Sequence, residues 1–220
     1  MSETTQPEPL SVYHVRVVVR GISPLIWRRL LIPADTTIAG LHSALQVAFG
    51  WSGEHLHRFM IHGTEYGISY LGGGGFRDDP HRVRVAELGL RPTERFTYEY
   101  NFTAGWCLDL RVEKLQPSEP GRVYPRCVGG RRAGPPEEWA GPWAFLEQTQ
   151  PHLVFAALRR AAEIVGRLLQ ADGGDIVGVV LGEDRDELAS LLPLLGLDSF
   201  DRRAYNTALA ALPATAAVVA

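Results

Sequence analysis

The first part of the chain alternates between apolar and polar residues, as a half-buried strand does. Val15, Val17 and Val19 fall on one face of residues 13–20, with polar residues on the other. A Gly-Ile-Ser-Pro turn follows, and residues 26–32 are again rich in residues that favour strands. The pattern therefore predicts two antiparallel strands joined by a turn.

The spacing of apolar residues then changes to that of a helix. Ile38, Leu41, Leu45 and Phe49 recur at helical intervals, after an Asp-Thr-Thr sequence whose side-chain oxygens can cap a helix N-terminus. Gly50 suits the left-handed conformation that commonly ends a helix. The sequence therefore predicts a helix that packs on the sheet.

Residues 55–62 alternate again and predict a third strand, but the alternation leaves its inner face open. The two choices for the inner face are Leu56 with Met60, or His57 with Phe59 and Ile61.

Aromatic and β-branched residues also favour strands over residues 96–102 and 106–115, joined by a Thr-Ala-Gly turn. Residues 82–88 predict a short strand and a turn. The four glycines at 72–75 are interpreted as a loop, because no helix start with Lys and Ser or Thr follows them. The Pro- and Gly-rich residues 116–142 predict an ordered irregular segment that wraps the sheet.

The remaining chain is mainly helical in pattern. Residues 151–170 place apolar side chains at helical spacing, residues 183–195 and 201–212 predict two more helices, and the apolar residues 176–181 favour a short strand. The fold class is therefore α+β, with a mainly antiparallel twisted sheet, a packed helix and a helical C-terminal part.

Four divisions of the chain follow from these patterns. Residues 1–10 predict a disordered lead, 11–150 an α+β core, 151–212 a helical part packed on that core, and 213–220 a flexible tail. The polar start is unlike a signal peptide, and no apolar stretch approaches the roughly 20 residues of a membrane span. We expect a cytoplasmic protein without a membrane partner.

Charge and cysteine content exclude several functions. The formal net charge of −3 lacks the basic field of a protein held on DNA mainly through phosphates. The two cysteines form neither a disulfide scaffold nor a Cys-x-x-Cys pair. Nucleic-acid binding stays a second alternative, through a local set of arginines: Arg28, Arg29, Arg126, Arg131 and Arg132.

Several short motifs recur in a fixed order along most of the chain. They are YHVRV at 13–17, ISPLIWRR at 22–29, FGW at 49–51, HLHRF at 55–59, YPRC at 124–127, PPEE at 135–138, and FD and YN at 200–201 and 205–206. In these motifs the chain resembles the plasmid pRiA-type open-reading-frame-three-like family. The resemblance implies a compact α+β domain, and some members are described as TnpR-type passenger proteins of mobile insertion elements.

The chain departs from this family where reactive groups are expected. Relatives tend to carry Tyr-Asp-Phe-Gly-Asp-x-Trp-x-His, whereas this chain has Asn101, Thr103, Ala104 and Leu108 at the first Asp, the Gly, the second Asp and the His. Asp and His on paired strands can bind a metal or transfer protons, but Ala and Leu can do neither. Gly134 likewise replaces a Cys that relatives carry.

The remaining polar and aromatic residues give the candidate binding site. His55 and His57 are the candidate metal ligands if both lie on one strand face, although ordinary hydrogen-bonded histidines are the favoured interpretation and no cofactor is predicted. Glu137 and Glu138 form a candidate carboxylate pair, with arginines nearby to hold an anion. The full candidate set is Trp51, His55, His57, Trp106, Arg126, Arg132, Glu137, Glu138 and Trp139.

The first functional hypothesis is a non-catalytic or catalytically degenerate binding or accessory protein, with a protein or a small ligand as its partner. The alternative is a metal-assisted hydrolase or nuclease that uses His55 or His57 with Glu137 or Glu138. This alternative requires the histidines and carboxylates to converge in the folded chain.

Overall fold

The computed structural model describes residues 11–67, 79–170 and 183–213. Within these ranges the chain forms one seven-stranded antiparallel sheet and five helices, so the predicted α+β class is confirmed. The strands are β1 (Ser11–Val19), β2 (Trp27–Pro33), β3 (His57–Ile61), β4 (Thr64–Gly67), β5 (Arg95–Tyr100), β6 (Trp106–Pro117) and β7 (Arg126–Arg131). The helices are α1 (Ile38–Phe49), α2 (Gly141–Gln148), α3 (Pro151–Gln170), α4 (Glu183–Leu195) and α5 (Arg202–Ala210).

The strand order is β4-β3-β5-β6-β1-β2-β7, which places the first strand of the chain inside the sheet. β1 pairs antiparallel with β2 on one side and with β6 on the other. The β1–β2 hairpin and the β5–β6 pair are both confirmed, the second with Tyr100 opposite Trp106 at its turn.

Alternation in most strands gives the sheet an inner, apolar face and an outer, polar face. Helix α1 begins after Thr37, whose Oγ1 accepts the Gly40 N–H at 3.0 Å, and it ends at Gly50 with φ of 73°. Its apolar stripe, including Leu41 and Leu45, is buried in the same core as the inner strand residues. The predicted helix and both of its ends are confirmed.

The structure decides the open face of β3. His57, Phe59 and Ile61 point inward and are buried, whereas Met60 lies on the other face. The strand begins at His57, so His55 lies before it rather than within it.

The prediction of a strand at residues 82–88 is wrong. Val85–Leu88 forms a 3-10 helix, because its backbone bonds to the segment that precedes α1 and not to a sheet neighbour. The Val85 N–H donates to the Thr36 carbonyl and the Ala86 N–H to the Ala34 carbonyl, both at 2.8 Å. Burial of Val85 in the core holds this turn in place.

The prediction that residues 116–142 are irregular is wrong in part, because the segment contains β7 and the first residues of α2. β7 pairs with β2, but it lacks an apolar alternation because glycines occupy two of its positions. A Cβ at Gly130 would lie 2.5 Å from the Phe200 ring, and one at Gly129 would lie 3.4 Å from the Trp27 ring. Neighbouring aromatic rings therefore take the space that β7 side chains would fill.

Helix α5 packs along β7. The Asn206 Oδ1 accepts the Cys127 N–H at 2.7 Å, and the Asn206 Nδ2 donates to the Cys127 carbonyl at 3.0 Å. Buried Arg28 adds a second link, because its guanidinium stacks on the rings of Phe200 and Tyr205. These contacts fix α5 on the sheet.

Helices α3 and α4 run against each other and are joined by ion pairs, including a bidentate one from Arg160 to Glu187. The predicted helices at 151–170 and 183–195 are confirmed, whereas the glycines at 72–75 and the apolar residues 176–181 lie outside the described residues. The division of the chain at residue 150 stays a prediction. In the part of the chain that the structure describes, each helix is too short or too polar to cross a bilayer.

Candidate functional site

The candidate site is an aromatic cluster on the inner face of the sheet, next to the end of α1. The indole of Trp51 stacks on Tyr100 with ring centroids 5.0 Å apart, and its centroid lies 6.3 Å from that of Trp106. The Trp51 Nε1 donates to the Pro135 carbonyl at 2.8 Å. Two predicted site residues, Trp51 and Trp106, therefore meet although 55 positions separate them.

Glu137 joins this cluster through its carboxylate. Its oxygens accept hydrogen bonds from the Tyr100 hydroxyl at 2.6 Å, the Ser52 hydroxyl at 3.1 Å and the Ser52 N–H at 2.9 and 3.1 Å. A carboxylate with two oxygens has about four acceptor positions. The donors of the protein itself therefore occupy most of the capacity of Glu137.

The backbone of Glu137 is held as firmly as its side chain. Its carbonyl accepts the Asn101 Nδ2 and the Trp106 Nε1, both at 3.1 Å. The Asn101 Oδ1 accepts the Ala104 N–H at 3.2 Å, and Asn101 has φ of 51°, which Asn tolerates better than most residues. An ionised Asp at position 101 has no N–H to donate, so the amide in this chain serves the anchoring of Glu137.

Glu138 points away from this anchor. Its side chain is 76% exposed, and its Oε1 lies 3.7 Å from the Nε2 of His55. The His55 ring meets the edge of Tyr100 with centroids 5.5 Å apart. The structure thus brings His55 and Glu138 together at the rim of the cluster, while Glu137 faces its interior.

His57 does not join His55, because it is the first inward residue of β3. Its ring stacks on that of His42 from α1, with centroids 3.7 Å apart and planes 11° apart. Burial lowers the pKa of His57 to about 4. Burial, and then the charge of His57, lower the pKa of His42 to about 3. Both imidazoles are therefore neutral at neutral pH.

A tyrosine completes this histidine pair. The Tyr98 hydroxyl lies 2.7 Å from the His42 Nδ1 and 2.7 Å from the Gln46 Nε2. In either direction of the Tyr98–His42 bond, the Nδ1 of His42 is occupied by the Tyr98 hydroxyl. Burial raises the pKa of Tyr98 well above its usual value.

Sequence reasoning missed this network of His42, Gln46 and Tyr98. His42 and Gln46 lie four positions apart, so they share a face of a helix. Two polar residues at that spacing beside the apolar stripe of α1 were the available signal. Leu108, at the position where relatives are expected to carry His, is fully buried opposite Tyr98.

The predicted arginines lie elsewhere. Arg132 is buried and donates to the Pro24 carbonyl at 2.8 Å and to Asp198 at 3.1 Å. Arg126 is half-buried at the start of β7, where it pairs with Leu31 across the ladder. Neither arginine contributes to the hydrogen bonds around Glu137. These contacts therefore do not place Arg126 or Arg132 beside the Glu137 carboxylate, where they were expected to bind an anion.

The other members of the nucleic-acid hypothesis are also divided between two faces. Arg28 is buried on the inner face, with its Nε donating to the Ala48 carbonyl at 2.7 Å. Arg29 and Arg131 lie on the outer face, Arg29 in a bidentate pair with Glu113. Trp139 packs on Phe145 beside the core, with centroids 5.8 Å apart.

The candidate site offers few side chains that could bind a metal ion together. Within residues 11–67, 79–170 and 183–213, no three His, Cys, Asp or Glu side chains are arranged to hold one metal ion. The pair of His55 and Glu138 supplies two groups, and Glu137 is already satisfied by Ser52 and Tyr100. The role that these residues support best is structural: they anchor residues 135–139.

Replacing Glu137 by Ala is expected to lower the free energy of unfolding by about 2 kcal/mol, because the Tyr100 hydroxyl and the Ser52 N–H lose their charged acceptor. Replacing the exposed Glu138 by Ala is the matched control, with an expected change within about 0.5 kcal/mol. Urea unfolding of both variants measures the difference. Equal effects of the two substitutions would contradict the anchoring role.

Fold and site together define an α+β protein whose inner-face polar groups are largely taken up by internal hydrogen bonds. Residues 11–151 match the plasmid pRiA4b ORF-3-like protein family, and the chain belongs to that family. The match begins at the first residue of β1 and ends at the first residue of α3.

Two relatives extend this assignment. The chain is 29% identical over 141 residues to "Uncharacterized protein y4hQ" of Sinorhizobium fredii, covering 62% of this chain and 71% of that protein. The crystal structure of "Protein of Unknown Function MM3350" from Methanosarcina mazei Go1 aligns with a TM-score of 0.61 at 25% identity. That alignment covers 88% of this chain and 97% of the archaeal chain.

Proposed function

We propose that this chain is a non-catalytic binding or accessory protein. The observation that carries the proposal is the state of the Glu137 carboxylate, because donors from Tyr100 and Ser52 occupy most of its acceptor positions. A general acid, a general base or a metal ligand needs a lone pair or a proton that it can offer to another group. In Glu137 the lone pairs instead accept hydrogen bonds that hold residues 135–139 in place.

The histidines support the same conclusion. His57 is 4% exposed and stacked on His42, and the Nδ1 of His42 is taken up by the Tyr98 hydroxyl. Low pKa values of about 3 and 4 make both rings poor proton acceptors at neutral pH. Ala104 and Leu108 stand where relatives are expected to carry Asp and His, and neither side chain can bind a metal.

The test is native mass spectrometry with metal analysis on one purified sample, together with hydrolysis assays in the presence of Mg²⁺, Mn²⁺ and Zn²⁺. The expected result is a metal-free chain without turnover of phosphodiester or phosphomonoester substrates. The double variant Ala104→Asp and Leu108→His is expected to show no hydrolysis above that of the unaltered chain. The reason is that the unaltered chain is expected to have no catalytic activity on which these groups could build. A stoichiometric metal with activity that disappears in His55→Gln would overturn the proposal.

One observation favours a second candidate function, a metal-assisted hydrolase. His55 and Glu138 are 3.7 Å apart at the rim of the cluster, so the alternative keeps one imidazole and one carboxylate in reach of each other. Such an enzyme would take its remaining ligands from its substrate or solvent, as weakly held divalent ions do. Glu138→Gln would then abolish metal-dependent activity while leaving the fold intact.

A further inference from the structure

The outer face of the sheet carries a row of arginines that run across neighbouring strands. The ladder register places Arg95 of β5 opposite Arg111 of β6, Arg111 opposite Arg16 of β1, and Arg16 opposite Arg29 of β2. All four alternate with buried residues of their strands, so their side chains share the outer face. We call these four residues the arginine row.

Such a row opposes the stability of the sheet. Like charges directly opposite each other on neighbouring strands repel, and the row contains three such pairs. Arg29 forms a bidentate pair with Glu113 at 2.6 and 2.9 Å, and the charge of Arg16 also acts on that carboxylate. For Arg16, Arg95 and Arg111, no described carboxylate lies within 4.0 Å.

Arg16 has a further feature that points to a missing partner. Its Nε is buried and has no hydrogen-bond partner in the described part of the chain. Its guanidinium carbon lies 5.4 Å from the centroid of the Trp27 ring, and that of Arg29 lies 5.5 Å from the same ring. Both guanidinium groups therefore lie near one indole, and the buried Arg16 Nε is a donor that an anion would satisfy.

The same face has an aromatic group and a cavity at the turn end of the β5–β6 hairpin, whereas Arg95 and Arg111 pair at its other end. Phe102, at the β5–β6 turn, is 48% exposed, and the guanidinium carbon of Arg58 lies 5.6 Å from its ring centroid. A cavity of about 490 Å³ is lined by Phe102, Arg58, Arg20, Cys107 and Glu99, among others, and the Glu99 carboxylate pairs with Arg58. This volume falls in the range of small-ligand sites.

We propose that the outer face binds single-stranded nucleic acid, with its phosphates on the arginine row and a base against Phe102. This proposal rests on the binding function proposed above and names its ligand. Guanidinium groups suit phosphates because they present several donors in a planar fork. Proteins hold single strands by contacts of cations with the phosphates and of aromatic rings with the bases, and this face offers both groups. The acidic net charge of −3 does not oppose this, because the row is a local field.

The experiment is fluorescence anisotropy of a labelled single strand of about 20 nucleotides with the purified full chain, from about 50 to 200 mM salt. The double variant Arg16→Gln and Arg111→Gln is expected to weaken binding at least about tenfold and to lower the salt slope by about 0.7 for each lost phosphate contact. The matched control is Arg185→Gln with Arg203→Gln, which removes the same charge from exposed positions on α4 and α5. We expect the control to bind like the unaltered chain.

Two further measurements distinguish loss of nucleic-acid contacts from loss of the fold. Phe102→Leu is expected to weaken binding about tenfold with an unchanged salt slope, because stacking does not involve counterions. Since the arginine variant removes like-charge repulsion, its urea midpoint is expected to be equal or higher, which excludes misfolding as the cause. Absence of binding, equal loss in the control, or competition by polyphosphate without an effect of Phe102→Leu would overturn the proposal. Metal-dependent cleavage of the probe would instead overturn the non-catalytic function and leave the arginine dependence standing.

Discussion

Lowering the pH from 7.5 to 5 is expected to reduce the free energy of unfolding by about 4 kcal/mol through His42 and His57. Their folded pKa values are lowered to about 3 and about 4, from 6.5. Between pH 6.5 and 4 the unfolded chain therefore binds protons that the folded chain does not. This contribution to stability is fully present above pH 6.5 and is lost as the pH falls through that range.

The measurement is urea unfolding at several pH values between 5 and 7.5, where most carboxylates stay ionised in both states. The double variant His42→Gln and His57→Gln is expected to be less stable at pH 7.5 but to show a much flatter pH dependence. His81→Gln, at an exposed position, is the matched control and should keep the full slope. Burial also lowers the pKa of His14, which is unchanged in every variant and contributes in the same direction. A double variant with the original slope would assign the effect to other groups.

Replacing Gly134 by Ala is expected to destabilise the fold by at least about 3 kcal/mol. A Cβ at this position would lie 1.9 Å from the Phe49 carbonyl oxygen and 2.7 Å from the carbonyl carbon. Backbone atoms at the end of α1 cannot move aside as a flexible side chain can. The clash would separate the 134–138 segment from α1, and with it the Trp51–Pro135 and Ser52–Glu137 hydrogen bonds.

The matched control for Gly134 is Gly166 in α3, where a Cβ would meet nothing within 4 Å. Gly166→Ala is expected to raise stability by about 0.5 to 1 kcal/mol, because Ala is the better helix former. Thermal unfolding of the two variants should therefore shift in opposite directions. A Gly134→Ala variant as stable as the unaltered chain would mean that the segment can move away from α1 at little cost.

The Gly134 contact also bears on the comparison with relatives that carry Cys there. A Cys has the same Cβ as Ala, so it would meet the same carbonyl of Phe49 if the backbone followed the same path. A Cys at position 134 is therefore expected to destabilise this chain as Ala does.

Much of the sheet could be predicted because buried and exposed residues alternate over long parts of its inner strands. β1 carries valines at every second position, and α1 has both a capping Thr37 and a terminal Gly50. β7 could not be predicted in this way, because its glycines make room for Trp27 and Phe200, which are distant in sequence. The strand order could not be predicted either, since pairing of β1 with β6 depends on contacts across about 100 residues of chain.

The candidate site divides in the same way. Trp51, Trp106 and Glu137 were predicted individually, and tertiary packing brings them into one cluster. His55 and His57 were candidate metal ligands on condition that both lie on one strand face. β3 begins at His57, so only His57 follows the inward and outward alternation of the strand. His42 and Gln46 were missed because polar residues in an amphipathic helix usually face solvent.

The two hydrogen bonds of Asn206 have a consequence for how the sheet ends. The outward N–H and carbonyl of Cys127 are the groups through which β7 would accept an eighth strand, and the Asn206 amide supplies one donor and one acceptor in their place. A side chain on α5 thus imitates the backbone of a neighbouring strand. Any peptide that adds to this edge, from this chain or another, must first displace that amide, so the helical part protects the sheet from edge-to-edge aggregation.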